Sequence, residues 1–358
     1  MKKTWFATAA LFAITAVAHA EEDPPMNRIQ FIGTHNSYHI APSPKVHKLI
    51  ESFAKGEGDA INVTQRPLQE QFGKLGVRQI ELDLFADPKG GLYSDPLGAR
   101  LVSEGEKNPD PAWKEPGLKI LHSPDFDFRT TVPTLRKALR EMVTWSSANP
   151  KHEPLMVLLE LKEQSFSPRI RPHPFDDAQL KALEEEILAE VPEKMILTPD
   201  RLRGDTPTLR EAITTRGWPK LSEAAGKLIF CLDNEGAIRD RYLALSPNKD
   251  LQGRLLLVSV PPEHPAAAWM KRNDPVGGFE EIRKLVAAGF MVRTRADAEL
   301  KEPRTKDASR FKKAVDSGAQ WISTDAAEEL PDFPGYKVRW ENGRVWQHTR
   351  MENVPSNQ

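Results

Sequence analysis

Phe31-Ile32-Gly33-Thr34-His35-Asn36-Ser37-Tyr38 begins as an apolar run and ends in an imidazole and an amide. An apolar run of this length bounded by polar groups is typical of a buried strand whose carboxyl end opens onto a site. Three later stretches repeat the pattern: QIELD at 79–83, KILH at 119–122 and LMVLLELK at 155–162. The repetition predicts one site assembled from the ends of at least four strands.

The polar groups that end these strands point to chemistry on a phosphodiester. Residues two apart share a face of a strand, so Glu81 and Asp83 are predicted to enter one pocket, as are Glu160 and Lys162. The third stretch ends in His122, which adds a second imidazole. Carboxylate and amide oxygens suit a hard divalent cation, and two imidazoles supply proton carriers. The set fits a metal-assisted phosphodiesterase.

The order of strands and helices predicts a single-domain α/β fold, an eight-stranded (β/α)8 TIM barrel. Eight strand candidates are found, at 31–34, 79–83, 119–122, 155–162, 228–232, 255–260, 290–292 and 321–322. Helical periodicity lies between most of them, which indicates parallel strands joined by crossovers. An open doubly wound sheet is the alternative, but no glycine-rich phosphate loop opens its first helix.

The barrel is expected to span residues 28–335, followed by a polar C-terminal tail at 336–358. Two long connections, at 87–117 and 163–176, are rich in proline or in glycine and aspartate. We interpret both as loops above the mouth of the barrel and not as linkers between domains.

The N-terminus predicts export. Lys2 and Lys3 precede an apolar stretch at 5–17, and Ala18-His19-Ala20 fits a small-residue cleavage site. The stretch is shorter than the ~20 residues that a membrane-spanning helix needs. We therefore expect a signal peptide at 1–20, cleavage after Ala20, and a periplasmic or secreted protein.

Charge and cysteine content exclude some partners and some chemistry. Cleavage would remove two of the 50 basic residues and none of the 51 acidic ones, so the mature chain is close to neutral. No basic block resembles a nucleic-acid footprint, so nucleic acid is excluded as a partner. No obligate protein partner and no exposed apolar ridge for a bilayer are evident. Cys231 is the only cysteine, and its apolar neighbours predict a buried thiol without a catalytic role.

The motifs together resemble the catalytic barrel of the phosphoinositide-specific phospholipase C superfamily, and within it the bacterial calcium-dependent type. In that family a His-Asn pair ends the first strand, a Glu-x-Asp pair the second, a His the third and a Glu the fourth. All six positions carry the same residue types here. Residues 292–297 (VRTRAD) and 321–325 (WISTD) also look like the late strands of the bacterial members. The resemblance covers roughly residues 28–330.

The resemblance implies a calcium site and a lipid-like substrate. The residues that match the family's calcium ligands are Asn36, Glu81, Asp83 and Glu160. Their hard oxygen donors independently suit calcium, or less readily magnesium, over zinc. The implied substrate is a phosphodiester, a phospholipid or an inositol phosphodiester, with transient membrane contact. Three carboxylates around a dication leave excess negative charge, so cationic side chains must offset it. The positions of Lys162, Arg293 and Arg295 make them the candidates for binding substrate.

The resemblance also implies a mechanism. The inositol 2-hydroxyl attacks the adjacent phosphorus and expels diacylglycerol, while Glu81 or Glu160 takes the proton. His122 protonates the leaving alkoxide and His35 donates to the phosphoryl oxygen. From the residues alone, either imidazole could be the acid.

Two other functions remain open from the sequence. A glycerophosphodiester phosphodiesterase shares the barrel, the acidic metal site and two histidines, but its first strand usually ends His-Arg-Gly and not His-Asn-Ser. A non-catalytic barrel that binds phosphate or lipid would not need a pair of proton carriers. The other histidines, among them His39 and His152, are expected on the solvated surface.

Overall fold

The computed structural model describes residues 23–103, 110–165, 167 and 169–349. The predicted signal peptide therefore lies outside the described residues. The strands are β1 (Ile29–Thr34), β2 (Gln79–Asp87), β3 (Gly117–Ile120), β4 (Leu155–Leu161), β5 (Leu228–Leu232), β6 (Leu256–Val258), β7 (Trp269–Lys271), β8 (Met291–Arg295), β9 (Trp321–Thr324) and β10 (Trp346–His348).

Eight of these strands form a nearly closed parallel barrel. Their order is β6-β5-β4-β2-β1-β9-β8-β7, and each hydrogen-bonded pair along this path is parallel. A parallel bridge between Ser259 and Trp269 links the segment after β6 to β7. The barrel strands are buried along nearly their whole length, as expected for a parallel sheet covered on both faces. The predicted (β/α)8 barrel is confirmed.

One predicted barrel strand was wrong and another was missed. The third candidate, at 119–122, belongs to β3, which pairs antiparallel with β2 and lies off the barrel path. The eighth barrel strand is instead β7, only three residues long and preceded by Ala266-Ala267-Ala268. Alanine favours helix and is depleted in strands, and three residues are too few to show an alternating pattern. The sequence therefore gave no strand signal at this point.

The β2–β3 hairpin places His122 at the mouth. The last residues of β2 pair with β3, with Leu84 opposite Ile120 and Asp87 opposite Gly117. The hairpin extends β2 beyond the barrel, and β3 returns the chain to the level of Leu84. His122 follows two residues later, close to the level of Asp83. An imidazole predicted at a strand end thus reaches the site from a hairpin.

Helices connect most barrel strands and surround them. They are α1 (Pro44–Phe53), α2 (Glu57–Ala60), α3 (Leu68–Gly73), α4 (Leu97–Leu101), α5 (Leu135–Ala148), α6 (Asp177–Glu190), α7 (Pro199–Arg203), α8 (Leu209–Glu211), α9 (Gly236–Ala244), α10 (Phe279–Ala287), α11 (Lys301–Thr305) and α12 (Ser309–Asp316). Short 3-10 segments lie at Met26–Arg28, Pro111–Lys114, Glu193–Met195 and Glu341–Gly343, and a π turn at Ala212–Arg216. The described part of the chain contains no helix long and apolar enough to cross a bilayer.

Local sequence explains where the longest helices begin. Thr134 caps α5 by accepting the amide of Lys137, and Asp176 caps α6 by accepting the amide of Gln179. Side-chain oxygens at this position satisfy amides that have no partner within the helix. These caps explain why the two helices begin at Leu135 and Asp177.

The loops after β2 and β4 share a small apolar core of their own. Phe85, Tyr93, Trp113, Leu121 and Ile170 lie in this cluster, separate from the main core. The cluster holds the described parts of the two long connections together above the barrel. Cys231 is buried, as predicted.

The end of the described chain closes the opposite face. β10 pairs antiparallel with the first half of β1, from Ile29 opposite His348 to Phe31 opposite Trp346. β2 begins only opposite Gly33, so this half of β1 would otherwise be an unpaired edge. Tyr336, Val338 and Trp340 are buried in a second apolar cluster.

A substitution at Gly33 tests how tightly β1 packs against the Gln79 side chain of β2 below the site. A Cβ at Gly33 would overlap the amide of Gln79 and lie 2.6 Å from its Cδ, and this buried amide donates to Thr34 O at 3.1 Å. Gly33→Ala should therefore lower the free energy of unfolding by about 1–3 kcal/mol, the usual effect of overpacking. Urea unfolding followed by circular dichroism measures it.

Gly73→Ala is the matched control. Its added Cβ would meet only Trp145 Nε1 at 3.5 Å, and alanine favours the helix. Equal stability of the two variants would contradict the packing described for Gly33.

Candidate active site

The residues predicted for the site meet at the carboxyl end of the barrel. β1 ends just before His35, β2 carries Glu81 and Asp83, and β4 carries Glu160. Asp83 lies directly opposite Glu160 in the parallel register. Arg293 and Arg295 lie on β8. Because parallel strands end at the same edge, these side chains converge.

Three carboxylates form the centre of the site. Ligand oxygens of Glu81, Asp83 and Glu160 all lie within 4.8 Å of one another. Both carboxylate oxygens of Asp83 are buried; Oδ1 has no hydrogen-bond partner, and Oδ2 has only the ammonium of Lys162 at 3.1 Å. Burial, and then the charge of Glu160, raise the pKa of Asp83 to about 7. A buried acceptor without a donor is costly, so this carboxylate is poised for a cation.

Lys162 partly supplies that positive charge. Its Nζ lies 3.1 Å from Asp83 Oδ2 and 2.9 Å from Glu160 Oε2. Burial opposes the charged form of Lys162, but Asp83 and Glu160 outweigh it and raise its pKa. The side chain remains 24% exposed, so the ammonium lies at the edge of the cluster, as its strand position predicts.

Arg293 forms a buried salt bridge with Glu81. The guanidinium Nη2 donates to Glu81 Oε2 at 2.6 Å and to Ser323 Oγ at 3.1 Å, and Nη1 donates to Asn273 Oδ1. Only 1% of the side chain is exposed. The structure therefore places this predicted substrate ligand behind the acidic cluster, where it neutralises Glu81.

Asn36 occupies a tight turn directly after His35. It has φ of 43°, a left-handed conformation that asparagine tolerates better than most residues. The turn is tied to β2, because Ser37 N donates to Glu81 O at 3.0 Å and Ser37 Oγ accepts from Glu81 N at 2.9 Å. Asn36 lines the same cavity as both predicted catalytic histidines.

His35 forms a dyad with Asp325. Nδ1 of His35 lies 2.7 Å from Asp325 Oδ1, and Arg295 donates to Asp325 Oδ2 at 3.0 Å. A carboxylate only accepts, so Nδ1 carries the proton and Nε2 faces the cavity. That Nε2 lies 3.7 Å from Glu81 Oε1. Arg295 thus reaches the site, where it contacts both members of the dyad.

His122 forms a second dyad, with Asp127. The distance from His122 Nδ1 to Asp127 Oδ2 is 2.7 Å. Burial opposes the charged imidazolium, but the hydrogen bond and charge of Asp127 raise the pKa of His122 to about 9. His122 is therefore held in the protonated form that a general acid needs at neutral pH.

The expectation that His39 and His152 lie on the surface was wrong. His39 is 1% exposed and bonds Asp127, and His152 is 6% exposed and bonds Ser146. Loop sequences have no periodicity that indicates which residues are buried, so sequence reasoning assigns their histidines to the surface by default.

Two carboxylates of the dyads were not among the predicted site residues. Asp325 directly follows β9, so its position at a barrel strand end was an available signal. Asp127 lies five residues after His122 in a turn, and no pattern distinguishes it from other loop acids.

The cavity between the dyads has a volume of about 190 Å³. Its lining residues are His35, Asn36, His39, Glu57, Ala60, Ile61, Val63, His122, Arg295, Glu299 and Asp325. Two oriented imidazoles thus face a space beside a cluster of carboxylates. This arrangement can donate a proton, accept a proton and hold a cation around one reacting group.

The family model described as "Phosphoinositide phospholipase C, Ca2+-dependent" matches residues 25–349. The chain belongs to this family. The predicted family membership is therefore confirmed, and with it a phosphodiesterase of the phospholipase C type. A comparison with curated proteins finds no match.

Solved structures share the fold of this phospholipase C family member. A calcium-dependent phosphoinositol-specific phospholipase C from Pseudomonas sp. is 14% identical, with a TM-score of 0.54, and the alignment covers 90% of this chain and 95% of that one. The calcium-dependent enzyme from Streptomyces antibioticus is also 14% identical, with a TM-score of 0.54 and coverage of 87% and 98%. A glycerophosphoryl diester phosphodiesterase from Parabacteroides distasonis has a TM-score of only 0.34, too low to support an argument.

Replacing Arg293 should test the charge balance of the phospholipase C site. Arg293→Met leaves the buried Glu81 carboxylate without its cation, and breaking such a pair costs about 3–5 kcal/mol. Adding Glu81→Gln removes the unpaired charge and should restore part of the loss. Urea unfolding in chelator compares the single and double variants. A single variant as stable as the parent would contradict the role of Arg293 as the partner of Glu81.

Proposed function

We propose that this chain is a calcium-dependent phosphoinositide phospholipase C that cleaves its phosphodiester by internal attack of the inositol 2-hydroxyl. One observation carries the proposal: two His–Asp dyads face a shared cavity next to the cluster of Glu81, Asp83 and Glu160. A site that only bound phosphate would need no oriented proton carriers.

The acidic cluster fits calcium. Glu81, Asp83 and Glu160, with the amide of Asn36, would hold the ion, since calcium prefers carboxylate and carbonyl oxygens. The two buried oxygens of Asp83, of which Oδ1 has no partner and Oδ2 only the ammonium of Lys162, are the feature that a cation would satisfy. When bound, calcium supplies charge stabilisation at a phosphoryl oxygen and makes the attacking hydroxyl more acidic.

The side chains of this chain would divide the proton transfers. His122, protonated and held by Asp127, donates from Nε2 to the leaving alkoxide. His35, held by Asp325 through Nδ1–H, would donate to the phosphoryl oxygen as charge develops, and for this step Nε2 must carry a second proton. Glu81 or Glu160 accepts the proton of the 2-hydroxyl.

Three cations have different tasks in this proposal. Lys162, at the exposed edge of the cluster, offers its charge to the phosphate. Arg295 lines the cavity and steadies the His35–Asp325 dyad. Arg293 contributes through Glu81, because its own side chain is buried.

Product analysis tests the function. The purified protein should convert phosphatidylinositol to diacylglycerol and a cyclic inositol phosphate in calcium, and chelator should abolish turnover. Phosphorus NMR identifies the cyclic product. Free glycerol phosphate from glycerophosphodiesters would indicate attack by water and favour the other enzyme. Phosphate-ligand binding without turnover in either condition would favour a non-catalytic barrel.

An apolar rim patch next to the cavity supports a lipid substrate. Phe53, at the end of α1, is 60% exposed, and Leu101, at the end of α4, is 58% exposed. The ring of Phe126 lies 5.1 Å from that of Phe53. Leu101 lies one helical turn after Gly98, which packs on Phe126. Large exposed apolar groups that cluster beside a site indicate contact with an apolar surface.

We also propose that α1, which holds Phe53 of the patch, and α2, which holds part of the cavity wall, face the membrane together. α2 supplies the outer wall of the cavity through Glu57 and Ala60, and it packs on α1. Contact between the patch and a bilayer would therefore set the cavity against the headgroups. The sequence did not show the patch because its members, Phe53, Leu101 and Phe126, come from three separate segments of the chain.

Removing the rim patch should affect only substrate in a bilayer. Phe53→Ser with Leu101→Ser should lower turnover of phosphatidylinositol in vesicles at least about tenfold, because burying each side chain is worth about 1.5–3 kcal/mol. Turnover of a short, soluble inositol phosphodiester should not change.

Leu188→Ser provides the matched control for this loss. Leu188 is 47% exposed but lies near the end of α6, away from the mouth. A similar loss in this control, or equal losses on soluble and vesicle substrate, would contradict membrane contact through the patch.

The proposed location is the periplasm or the exterior. It is supported by the basic start, apolar stretch and Ala18-His19-Ala20 site of the N-terminal sequence. N-terminal sequencing of the protein from an expressing bacterium, which should begin at residue 21, tests the cleavage.

A further inference from the structure

His39 is a buried histidine that the proposed mechanism does not use. It is 1% exposed. Its Nδ1 lies 2.7 Å from Val63 O, and its Nε2 lies 2.8 and 2.9 Å from the two oxygens of Asp127. Its ring also meets that of His122 edge to face, with centroids 6.0 Å apart.

The partners of His39 determine its hydrogen-bonding roles. A backbone carbonyl and a carboxylate both only accept hydrogen bonds, so both ring nitrogens of His39 act as donors. Burial disfavours the ionised form of Asp127, and His39 and His122 together reverse this and hold its pKa well below the usual value.

The two dyads are built alike. Asp325 accepts from His35 on one oxygen and from Arg295 on the other. Asp127 accepts from His122 on Oδ2, while His39 bridges both of its oxygens. In each dyad a second donor, Arg295 or His39, fixes the carboxylate that orients the imidazole.

The backbone of His39 ties this clamp to the rest of the site. His39 N donates to Asn36 O at 2.9 Å, and His39 O accepts from Gln65 N at 2.8 Å. One residue thus fixes the turn of a predicted metal ligand, the wall of the cavity at Val63 and the carboxylate of a dyad.

We propose that His39 is a positioning residue that clamps Asp127 and thereby holds His122 with Nε2 aimed at the leaving group. The proposal rests on the proposed function for the identity of the leaving group. Without the clamp, Asp127 keeps one donor and can turn away, and His122 loses its fixed orientation. Groups behind a catalytic side chain commonly matter in this way, because small errors in orientation slow proton transfer.

Two substitutions separate the two side-chain contacts of His39. His39→Gln places an amide nitrogen as far along the side chain as Nε2, so it keeps a donor for Asp127. His39→Asn places one at the position of Nδ1, so it keeps the bond to Val63 and loses Asp127. Both are neutral amides that differ in reach, and each serves as the other's control.

Leaving-group dependence reports on the acid. An alkyl phosphodiester of inositol needs protonation of its alkoxide, whereas a nitrophenyl ester releases a stable phenolate without an acid. His39→Asn should lower kcat on the alkyl substrate about 10- to 100-fold, the range for lost supporting contacts. Its KM, and its rate on the nitrophenyl ester, should change less than about threefold. His39→Gln should stay near the parent enzyme on both.

The combination with His122→Ala tests whether His39 acts through His122. If it does, His39→Asn should add no further loss once His122 is gone, since residues that act as a unit are not additive. An additive loss would overturn the proposal. Equal losses on the two substrates would also overturn it, because a purely structural effect lowers the rate on both substrates regardless of the leaving group.

Nitrogen NMR of His122 tests the proposal without measuring turnover. It also gives an answer if one variant, His39→Asn, does not fold. The downfield proton on His122 Nδ1, bonded to Asp127, should persist in His39→Gln. It should weaken or vanish in folded His39→Asn. Its loss in His39→Gln would overturn the clamp even if His39→Asn does not fold. A parent protein with no turnover on either ester would refute the proposed function, and the same NMR comparison would still decide the clamp.

Discussion

Three carboxylates that share one buried pocket cannot all stay ionised without positive charge nearby, and the mouth of this barrel is organised around that constraint. Arg293 meets Glu81, and Lys162 lies between Asp83 and Glu160. Asp83 still has a buried oxygen, Oδ1, without a hydrogen bond, and a raised pKa. The protein's own cations therefore stabilise the acidic cluster only in part, which is why the proposed calcium ion fits there.

The same constraint extends to the proton carriers. The imidazoles of His35 and His122, the proposed proton carriers, are each held by a carboxylate, and each carboxylate by a further donor, Arg295 on Asp325 and His39 on Asp127. Donors and acceptors alternate outward from the cavity in both dyads. Such networks hold side chains in one geometry, which is what proton transfer requires.

Sequence reasoning reached the fold and the strand-end side chains that converge at the mouth, because both follow from short-range patterns. Barrel strands are buried on both faces and show as apolar runs, and their last polar residues mark the mouth. The β2–β3 hairpin misled this reasoning, because an antiparallel extension shows the same apolar run as a barrel strand. Sequence reasoning missed β7 because a strand of three residues after an alanine run is too short to show a strand pattern.

The partners of the catalytic groups were harder to predict. His39 and Asp127 lie in loops, and their contact spans 88 positions in the sequence. Nothing in either local sequence indicates burial or pairing. Arg293 was recognised as a cation of the site, but only the structure shows that Glu81 holds it below the surface. Residues that act through others leave little trace in a single sequence.

The pairing of β10 with β1 also determines how the molecule can be attached to something else. Thr349 N donates to Arg28 O at 2.9 Å, so the end of the described chain lies beside the start of β1, at the base of the barrel. The catalytic opening is at the other end of the same strand. A tether, an affinity tag or a fused domain added beyond residue 349 would therefore orient the enzyme with its opening outward and free.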